Sequence, residues 1–225
     1  MTFSIVARCA ESGQFGMAIS SSSPAVAARC AFARAGVGAV ATQNVTNPGL
    51  GPLMLERMAA GESAEAAVSA AVAADGFAAY RQLLAIGATG APAIHSGPHA
   101  LGLWSSATGV DCAAGGNLLA DAGVPAAMVA GFEAATGGLG DRLIAAMQAG
   151  LALGGEAGPV HSAGLLIVDR QAWPWAELRI DWLDAGCPIA ALARAWGVYA
   201  PQANDYVTRA LNPVAAPSYG VPGDE

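Results

Sequence analysis

The stretch MTFSIVAR at residues 1–8, followed after a short break by QFGMAIS at residues 14–20, decides the fold expected for this chain. In the first segment Phe3, Ile5 and Ala7 alternate with Ser4 and other neighbours, and the second segment alternates in the same way. Alternation with a period of two is typical of a strand that buries one face. Residues 3–20 are therefore predicted to form a β-hairpin that begins almost at the amino terminus.

Thr2 stands at the start of this hairpin and is a candidate nucleophile. A threonine is small enough for removal of Met1 to be routine, which would free an amine with a pKa of about 7.7–8.0. Such an amine is close to the working pH that a general base needs, and a threonine activated by its own amine is a known nucleophile. The alternative is that Thr2 is simply the second residue, as in most chains that begin Met-Thr.

The remaining elements cluster by type. The hairpin and a third strand, VGAVATQ at residues 37–43, precede two helices; three strands, two helices, two strands and a last helix follow. Strands that cluster in this way favour α+β layers over a Rossmann or barrel arrangement. We predict a single domain over residues 1–199 and a proline-rich carboxyl-terminal arm over residues 200–225.

The composition points to extensive burial and away from nucleic acid. Hydrophobic residues make up 54% of the 225 residues and charged residues only 12%, against about 25% in ordinary soluble domains. The formal net charge of -7 argues against a nucleic-acid partner, which requires a basic face. All ten basic residues other than histidine are arginines. We expect buried layers or subunit contacts, with a homodimer as the default assembly and higher homo-oligomers as the alternative.

No metal site and no cofactor is predicted, because the sequence lacks the motifs that bind them. The four cysteines form no CxxC pair, and the segment SGP separates His95 from His99 and breaks any helix that could present both. The sequence GVGAVA lacks the third glycine of a dinucleotide loop, and a Walker loop is impossible without lysine. A serine elbow at Ser162 is disfavoured because a strand, not a helix, follows it.

No basic segment precedes an apolar run at the amino terminus, and the longest uncharged run is broken by prolines and glycines. These features argue against a secretory signal and against a membrane span. A cytoplasmic location is therefore expected.

Four stretches in this order carry a family resemblance. They are MTFSIVAR, ARAGVGAVATQ with Asn47-Pro48 and Gly51-Pro52 just after it, GGNLLA, and GGEAGPVHSAGLLIV. Together, from Met1 to about Trp196, they resemble the bacterial family catalogued as domain of unknown function 1028, within the N-terminal-nucleophile (Ntn) hydrolase superfamily. The resemblance implies a four-layer αββα sandwich, with two antiparallel sheets between helical layers, and hydrolysis of an amide bond by the N-terminal residue.

The resemblance also implies roles for individual residues. The nucleophile position maps onto Thr2, and the basic residue beside it would be Arg34 or Arg29, which would lower the pKa of the amine or bind a substrate carboxylate. Asn117 fits an oxyanion-hole donor. The remaining candidates for the substrate pocket are Gln43, Asn47, His161 and Ser162.

The resemblance implies no particular substrate, and our own prediction is hydrolysis of a small amide or ureido compound. The small molecule would be the partner, with neither nucleic acid nor membrane involved. Two positions depart from the family pattern: Cys9 stands where an aspartate is usual, and Ala157 where an arginine is usual. The alternative is therefore a catalytically silent protein of the same fold that binds a small metabolite or serves as an assembly subunit.

Overall fold

The computed structural model describes residues 1–223 of the chain. Within these residues, ten strands form two antiparallel sheets. The six-stranded sheet, in the order β10-β9-β2-β1-β8-β7, contains β1 (Thr2–Arg8), β2 (Phe15–Ser21), β7 (Ser105–Thr108), β8 (Cys112–Asn117), β9 (Ser162–Val168) and β10 (Ala176–Ile180). The four-stranded sheet, in the order β3-β4-β5-β6, contains β3 (Ala31–Arg34), β4 (Gly38–Asn44), β5 (Arg81–Gly87) and β6 (Ala93–Ser96).

Helices follow the strand groups. In chain order they are α1 (Val26–Cys30), α2 (Leu50–Ala59), α3 (Ala64–Ala74), α4 (Val124–Ala134), α5 (Leu139–Ala152), α6 (Pro188–Tyr199) and α7 (Ala203–Leu211). The start of α3 follows from its sequence, because Ser63 Oγ accepts a hydrogen bond from the Ala66 N–H at 3.1 Å. Pro188 opens α6, where its missing N–H costs nothing.

The predicted hairpin is confirmed, and it forms the centre of the six-stranded sheet. Phe3 pairs with Ser20 and Arg8 with Phe15. β1 also pairs with β8, and β2 with β9, so neither strand of the hairpin is an edge strand. The amino-terminal strand is therefore held on both sides, and the position of Thr2 is fixed by the sheet.

The alternation in β1 separates two apolar cores. Phe3 and Ile5 pack with residues of α4, α5 and α6, whereas Val6 faces the other way and packs with Leu84 and Ile86 of the four-stranded sheet. A third cluster joins the opposite face of the four-stranded sheet to α2 and α3. The low charge content noted in the sequence is explained by these apolar clusters, which between them line both faces of both sheets.

The segment of residues 20–36, SSSSPAVAARCAFARAG, has no regular spacing of large apolar residues but forms regular elements. It contains α1 and β3, which are only five and four residues long. Ala25, just before α1, has φ of 50°, in the left-handed region. Elements this short are dictated by neighbouring strands more than by their own sequence, which explains why periodicity missed them, as it missed β7.

The predicted carboxyl-terminal arm contains a helix. α7 begins inside it, Ala203 is buried, and Trp175 Nε1 donates to Asn204 Oδ1 at 3.0 Å. The first half of the arm is therefore packed against the connection that leads into β10.

Candidate active site

The polar residues of interest meet at one end of the two sheets. Thr2 begins β1, Ser21 ends β2 and Ser162 begins β9; in the pairing registers Thr2 lies opposite Asn117 and Ser21 opposite Ser162. Gln43 is the second-last residue of β4, in the four-stranded sheet. We call this region the Thr2 end of the sheets.

The Thr2 hydroxyl is covered by Met1. Thr2 is only 5% exposed, and its Oγ1 lies 3.3 Å from Ser21 Oγ. Both hydroxyls donate to the carbonyl oxygen of Met1. Met1 itself is 36% exposed. Removal of Met1 would therefore uncover the Thr2 amine and free two hydroxyl hydrogens at the same point.

An arginine is linked to Thr2 through serine hydroxyls. Arg29 Nη2 donates to Ser23 Oγ at 3.0 Å, and Ser23 Oγ lies 2.9 Å from Ser21 Oγ, which in turn contacts Thr2 Oγ1. We call this series of four side chains the hydroxyl chain. It connects a permanent positive charge to the candidate nucleophile through three hydrogen bonds.

Ser162 fixes the loop that carries the hydroxyl chain. Its Oγ donates to the Ser23 carbonyl at 2.6 Å and accepts from the Val26 N–H at 3.4 Å, while its carbonyl accepts from Ser20 Oγ at 2.9 Å. The side chain is fully buried. Ser162 thus holds the turn between β2 and α1, and its hydroxyl is already committed to the backbone.

Glu156 is a buried carboxyl group beside the amino terminus. It is 4% exposed, and both of its oxygens accept from the Ser22 N–H at 3.2 Å. Burial raises the pKa of Glu156 to about 7, partly offset by the positive amino terminus and by Ser22. A carboxyl group that titrates near neutrality next to the chain terminus is suited to proton exchange or to holding an ammonium group.

A ladder of buried side chains leads to Asn117. Ser4 Oγ donates to Gln43 Oε1 at 2.6 Å, Gln43 Nε2 donates to Gln82 Oε1 at 2.8 Å, and Asn117 Nδ2 donates to the same Gln82 oxygen at 3.3 Å. The amide orientations are set by backbone carbonyls, because Gln43 Nε2 also donates to the Gly115 oxygen at 3.1 Å.

The orientation of Asn117 leaves part of its amide free for a ligand. The residue is 1% exposed, and its Oδ1 has no hydrogen-bond partner among residues 1–223. One of the two Nδ2 hydrogens binds Gln82, so the second is the one that could donate to a substrate oxygen. A buried side-chain acceptor without a protein partner is uncommon in folded proteins, and a water molecule, an ion or a ligand group can supply the partner.

Among residues 1–223, three residues other than glycine adopt left-handed backbone conformations, and all three lie at the Thr2 end. They are Ala25 with φ of 50°, Asn44 with φ of 75° and Leu118 with φ of 51°. Asn44 ends β4, Leu118 follows β8, and Ala25 precedes α1. Such conformations cost about 1–3 kcal/mol each and cluster at functional sites.

The structure distinguishes between the two predicted arginines. Arg34 pairs with Gly38, Gly38 pairs with Gly87, and Arg8 Nη1 donates to the Gly87 carbonyl at 2.9 Å. Arg34 therefore lies at the Arg8 end of β1, about 20 Å from Thr2 along a strand of seven residues. The structure does not bring Arg34 to Thr2, whereas Arg29 is joined to it by the hydroxyl chain.

The other predicted pocket residues have different surroundings. Gln43 is fully buried within the amide ladder. Asn47 Oδ1 accepts from the Gly49 N–H at 3.1 Å, which fixes the turn before α2. His161 Nδ1 lies 2.7 Å from the Leu183 carbonyl, and its ring stacks on Trp182 at 4.4 Å. Its backbone N–H donates to the Ser21 carbonyl, so His161 borders the site.

Sequence reasoning missed four groups of this site: Ser21, Ser23, Gln82 and Glu156. The available signals were the run of four serines at residues 20–23, which spans the end of β2, and the lone acidic residue in GGEAG. Within residues 1–223, no group of three or more histidine, cysteine or acidic side chains is arranged to hold a metal ion. No helix in the same part of the chain is long and apolar enough to span a membrane.

The chain is thus a mixed α and β protein of two antiparallel sheets, with a polar cluster at the Thr2 end. Residues 2–192 match a family of unknown function, DUF1028, and the chain belongs to this family. Protein SPO2555 from Silicibacter pomeroyi, of the same family, has a crystal structure similar to this one. The two are 30% identical over 88% of each chain, with a TM-score of 0.81.

A second solved structure, Anbu (ancestral beta-subunit) from Yersinia bercovieri, is 12% identical and covers 89% of this chain and 95% of its own. Its TM-score of 0.38 is too low to support an argument. No curated protein matches the chain.

Proposed function

We propose that this protein is an amidohydrolase of the N-terminal-nucleophile type, with Thr2 as the nucleophile after Met1 is removed. The observation that carries the proposal is the pairing of Thr2 with Asn117 at the start of a central strand, with the Thr2 hydroxyl also in contact with Ser21. A rigid strand end holds hydroxyl and amine in constant relation to their neighbours, which is what a nucleophile with its own base requires.

We infer further that the two sheets and their helices form the four-layer αββα sandwich of Ntn hydrolases. What supports this is the distribution of the apolar clusters. One joins the six-stranded sheet to α4, α5 and α6, one lies between the sheets, and one joins the four-stranded sheet to α2 and α3. In this order of packing Thr2, like Ser4 and Val6, lies on the face of β1 that is turned towards the four-stranded sheet.

The proposed reaction begins with proton transfer from Thr2 Oγ1 to the Thr2 amine through a water molecule. Oγ1 then attacks the carbonyl carbon of the substrate amide, and the second Asn117 Nδ2 hydrogen with a backbone N–H binds the oxyanion. The C–N bond breaks as the amine returns the proton to the leaving nitrogen. Water then hydrolyses the acyl ester on Oγ1 and restores Thr2.

Arg29 is the cation that we assign to this site, in place of Arg34. Its Nη2 is engaged by Ser23 Oγ and the Pro24 carbonyl, and no hydrogen bond of its Nε or Nη1 is made within residues 1–223. The residue is exposed. A guanidinium edge that is joined to the nucleophile by Ser23 and Ser21 favours a small amide that carries a carboxylate, such as a ureido acid.

Intact mass and covalent labelling test the proposal without knowledge of the substrate. We expect the untagged protein to be lighter by one methionine, and a β-lactone electrophile to add a single mass at Thr2. Thr2→Ser should still be labelled and Thr2→Ala should not. The matched control is Thr89→Ala, which changes an exposed residue at the opposite end of the sheets and should be labelled at the wild-type rate.

A screen of the demethionylated protein against ureido acids, cyclic amides and short peptides then identifies the substrate class. Retention of Met1 in every preparation, together with no labelling of Thr2, would contradict the enzyme and favour the alternative of a catalytically silent binding or assembly protein.

A further inference from the structure

The hydroxyl chain has a direction, and that direction bears on how the proposed nucleophile is activated. A guanidinium group has only donors, so Ser23 Oγ must accept from Arg29 Nη2. The single hydrogen of Ser23 Oγ then points to Ser21 Oγ, 2.9 Å away, because this is the remaining oxygen that it contacts. Arg29 therefore fixes Ser23 as a donor towards Ser21.

The Ser23 backbone supports the same direction. The Ser23 N–H also donates to Ser21 Oγ, at 3.1 Å. A hydroxyl oxygen has two acceptor positions, and Ser23 fills both. With Met1 in place, the angles of the contact between Thr2 Oγ1 and Ser21 Oγ suit Thr2 as the donor. Both acceptor positions of Ser21 Oγ are filled by Ser23, however, so the Ser21 hydrogen points away from Ser23. In the chain that retains Met1 this hydrogen is taken by the Met1 carbonyl.

Loss of Met1 leaves Ser21 with one new acceptor. The Met1 carbonyl is gone, and Thr2 Oγ1, at 3.3 Å, is the neighbouring oxygen that remains. The Ser21 hydrogen then binds a lone pair of Thr2 Oγ1, and the hydrogen of Thr2 is free to go to the Thr2 amine. A donor on Oγ1 also stabilises the negative charge that develops as this proton leaves.

We propose that Arg29 and Ser23 are positioning residues that act through Ser21 to orient the Thr2 hydroxyl towards its own amine. The proposal rests on the proposed function and adds a route by which Arg29 reaches Thr2. No proton passes along the hydroxyl chain. Its role is to keep Ser21 a donor to Oγ1, which a neutral serine pair without Arg29 could reverse.

Saturation kinetics of labelling by the β-lactone, followed by intact mass on demethionylated protein, test this assignment. Ser23→Ala and Arg29→Ala should each lower the maximal labelling rate about tenfold, the effect of one lost hydrogen bond, with little change in the concentration for half-saturation. Ser23→Thr keeps the hydroxyl and should retain the wild-type rate. Arg170→Ala, which removes an exposed arginine near β9, is the matched control.

A double variant distinguishes the hydroxyl chain from separate effects. Because Arg29 acts only through Ser23, the double variant Ser23→Ala with Arg29→Ala should be labelled no more slowly than either single variant. Added guanidinium should restore labelling of Arg29→Ala but not of Ser23→Ala, a result that a general folding defect would not give. Additive losses, or wild-type labelling in both variants, would overturn the assignment while Thr2 remained the nucleophile. Absence of Thr2 labelling in the wild-type protein would remove both proposals together.

Discussion

Thr2 of β1 and Asn117 of β8 are partners in the antiparallel register, so their side chains lie on the same face of the six-stranded sheet. Both are almost fully buried in the chain that retains Met1. The Asn117 amide is held by Gln82, which is itself held by Gln43. The amide next to the candidate nucleophile is therefore oriented before any ligand arrives.

Asn117→Ala is expected to lower the turnover rate on the substrate found in the screen by about 10²–10³, because one positioned donor to the oxyanion is lost. The measurement is steady-state kinetics on demethionylated protein. Asn212→Ala, at an exposed position after α7, is the control and should be unchanged. A decrease below threefold for Asn117→Ala would assign the oxyanion to other donors.

Glu156→Gln is expected to change how stability depends on pH. The pKa of Glu156 is raised from 4.5 to about 7, so the folded chain with Met1 in place binds this proton more tightly than the unfolded chain. Wild-type stability should therefore fall between pH 4.5 and about 7, where the proton is lost. Relative to wild type, the free energy of unfolding of Glu156→Gln should rise by up to about 3 kcal/mol across this range.

Urea unfolding at a series of pH values measures the effect of Glu156→Gln. Glu177→Gln changes an exposed carboxyl group on β10 and should run parallel to wild type. If the free energy of unfolding depended on pH in the same way in Glu156→Gln and in the wild type, Glu156 would ionise as an ordinary glutamate does.

Gln43→Met is expected to lower the free energy of unfolding by about 1–3 kcal/mol. The change keeps the size of the side chain but leaves Ser4 Oγ and the Gly115 carbonyl without their buried partner. Urea unfolding measures this loss, and the m value should be the same as in the wild type. Gln148→Met, on the exposed face of α5, is the control, and its free energy of unfolding should stay within about 0.5 kcal/mol of wild type. An equal loss in both variants would show that the hydrogen bonds of Gln43 with Ser4 and Gln82 do not stabilise the fold.

Gly140→Ala is expected to destabilise the contact between α5 and α6. A Cβ at Gly140 would lie 2.2 Å from the ring of Trp196, whereas one at Gly197, in α6, would meet nothing within 4 Å. Overpacking at Gly140 should cost about 1–3 kcal/mol, and Gly197→Ala should gain about 0.5–1 kcal/mol from helix propensity. Thermal unfolding of the two variants gives the comparison; shifts of the same sign would contradict it.

The strand pattern at residues 3–20 was sufficient to predict the central hairpin, because alternation reports directly which face is buried. The start of α3 is likewise determined locally, because the Ser63 side chain accepts a hydrogen bond from the Ala66 N–H. Thr2 and Asn117 could also be proposed, from the family resemblance. The short strands β3 and β7 could not, since pairing with neighbours, not their own composition, makes them strands.

The choice between Arg29 and Arg34 shows the limit of sequence reasoning at the site. The two are close in sequence, but Arg29 lies in α1 and Arg34 is the last residue of β3. The length of β3 therefore separates them towards opposite ends of the sheets. No motif in the neighbouring sequence marks Glu156 or Ser23 as part of a site. Their surroundings arise from strands and loops that are distant along the chain, as in the contact of Glu156 with the Ser22 N–H.

The carbonyl of Met1 occupies the space between the hydroxyls of Thr2 and Ser21. Any peptide fused in front of Thr2 supplies a carbonyl at the same point, so under the mechanism that we propose an affinity tag at this end would keep the nucleophile blocked. An amide screen on such a fusion would then fail to detect the proposed activity. Purification handles for this protein belong at the other terminus.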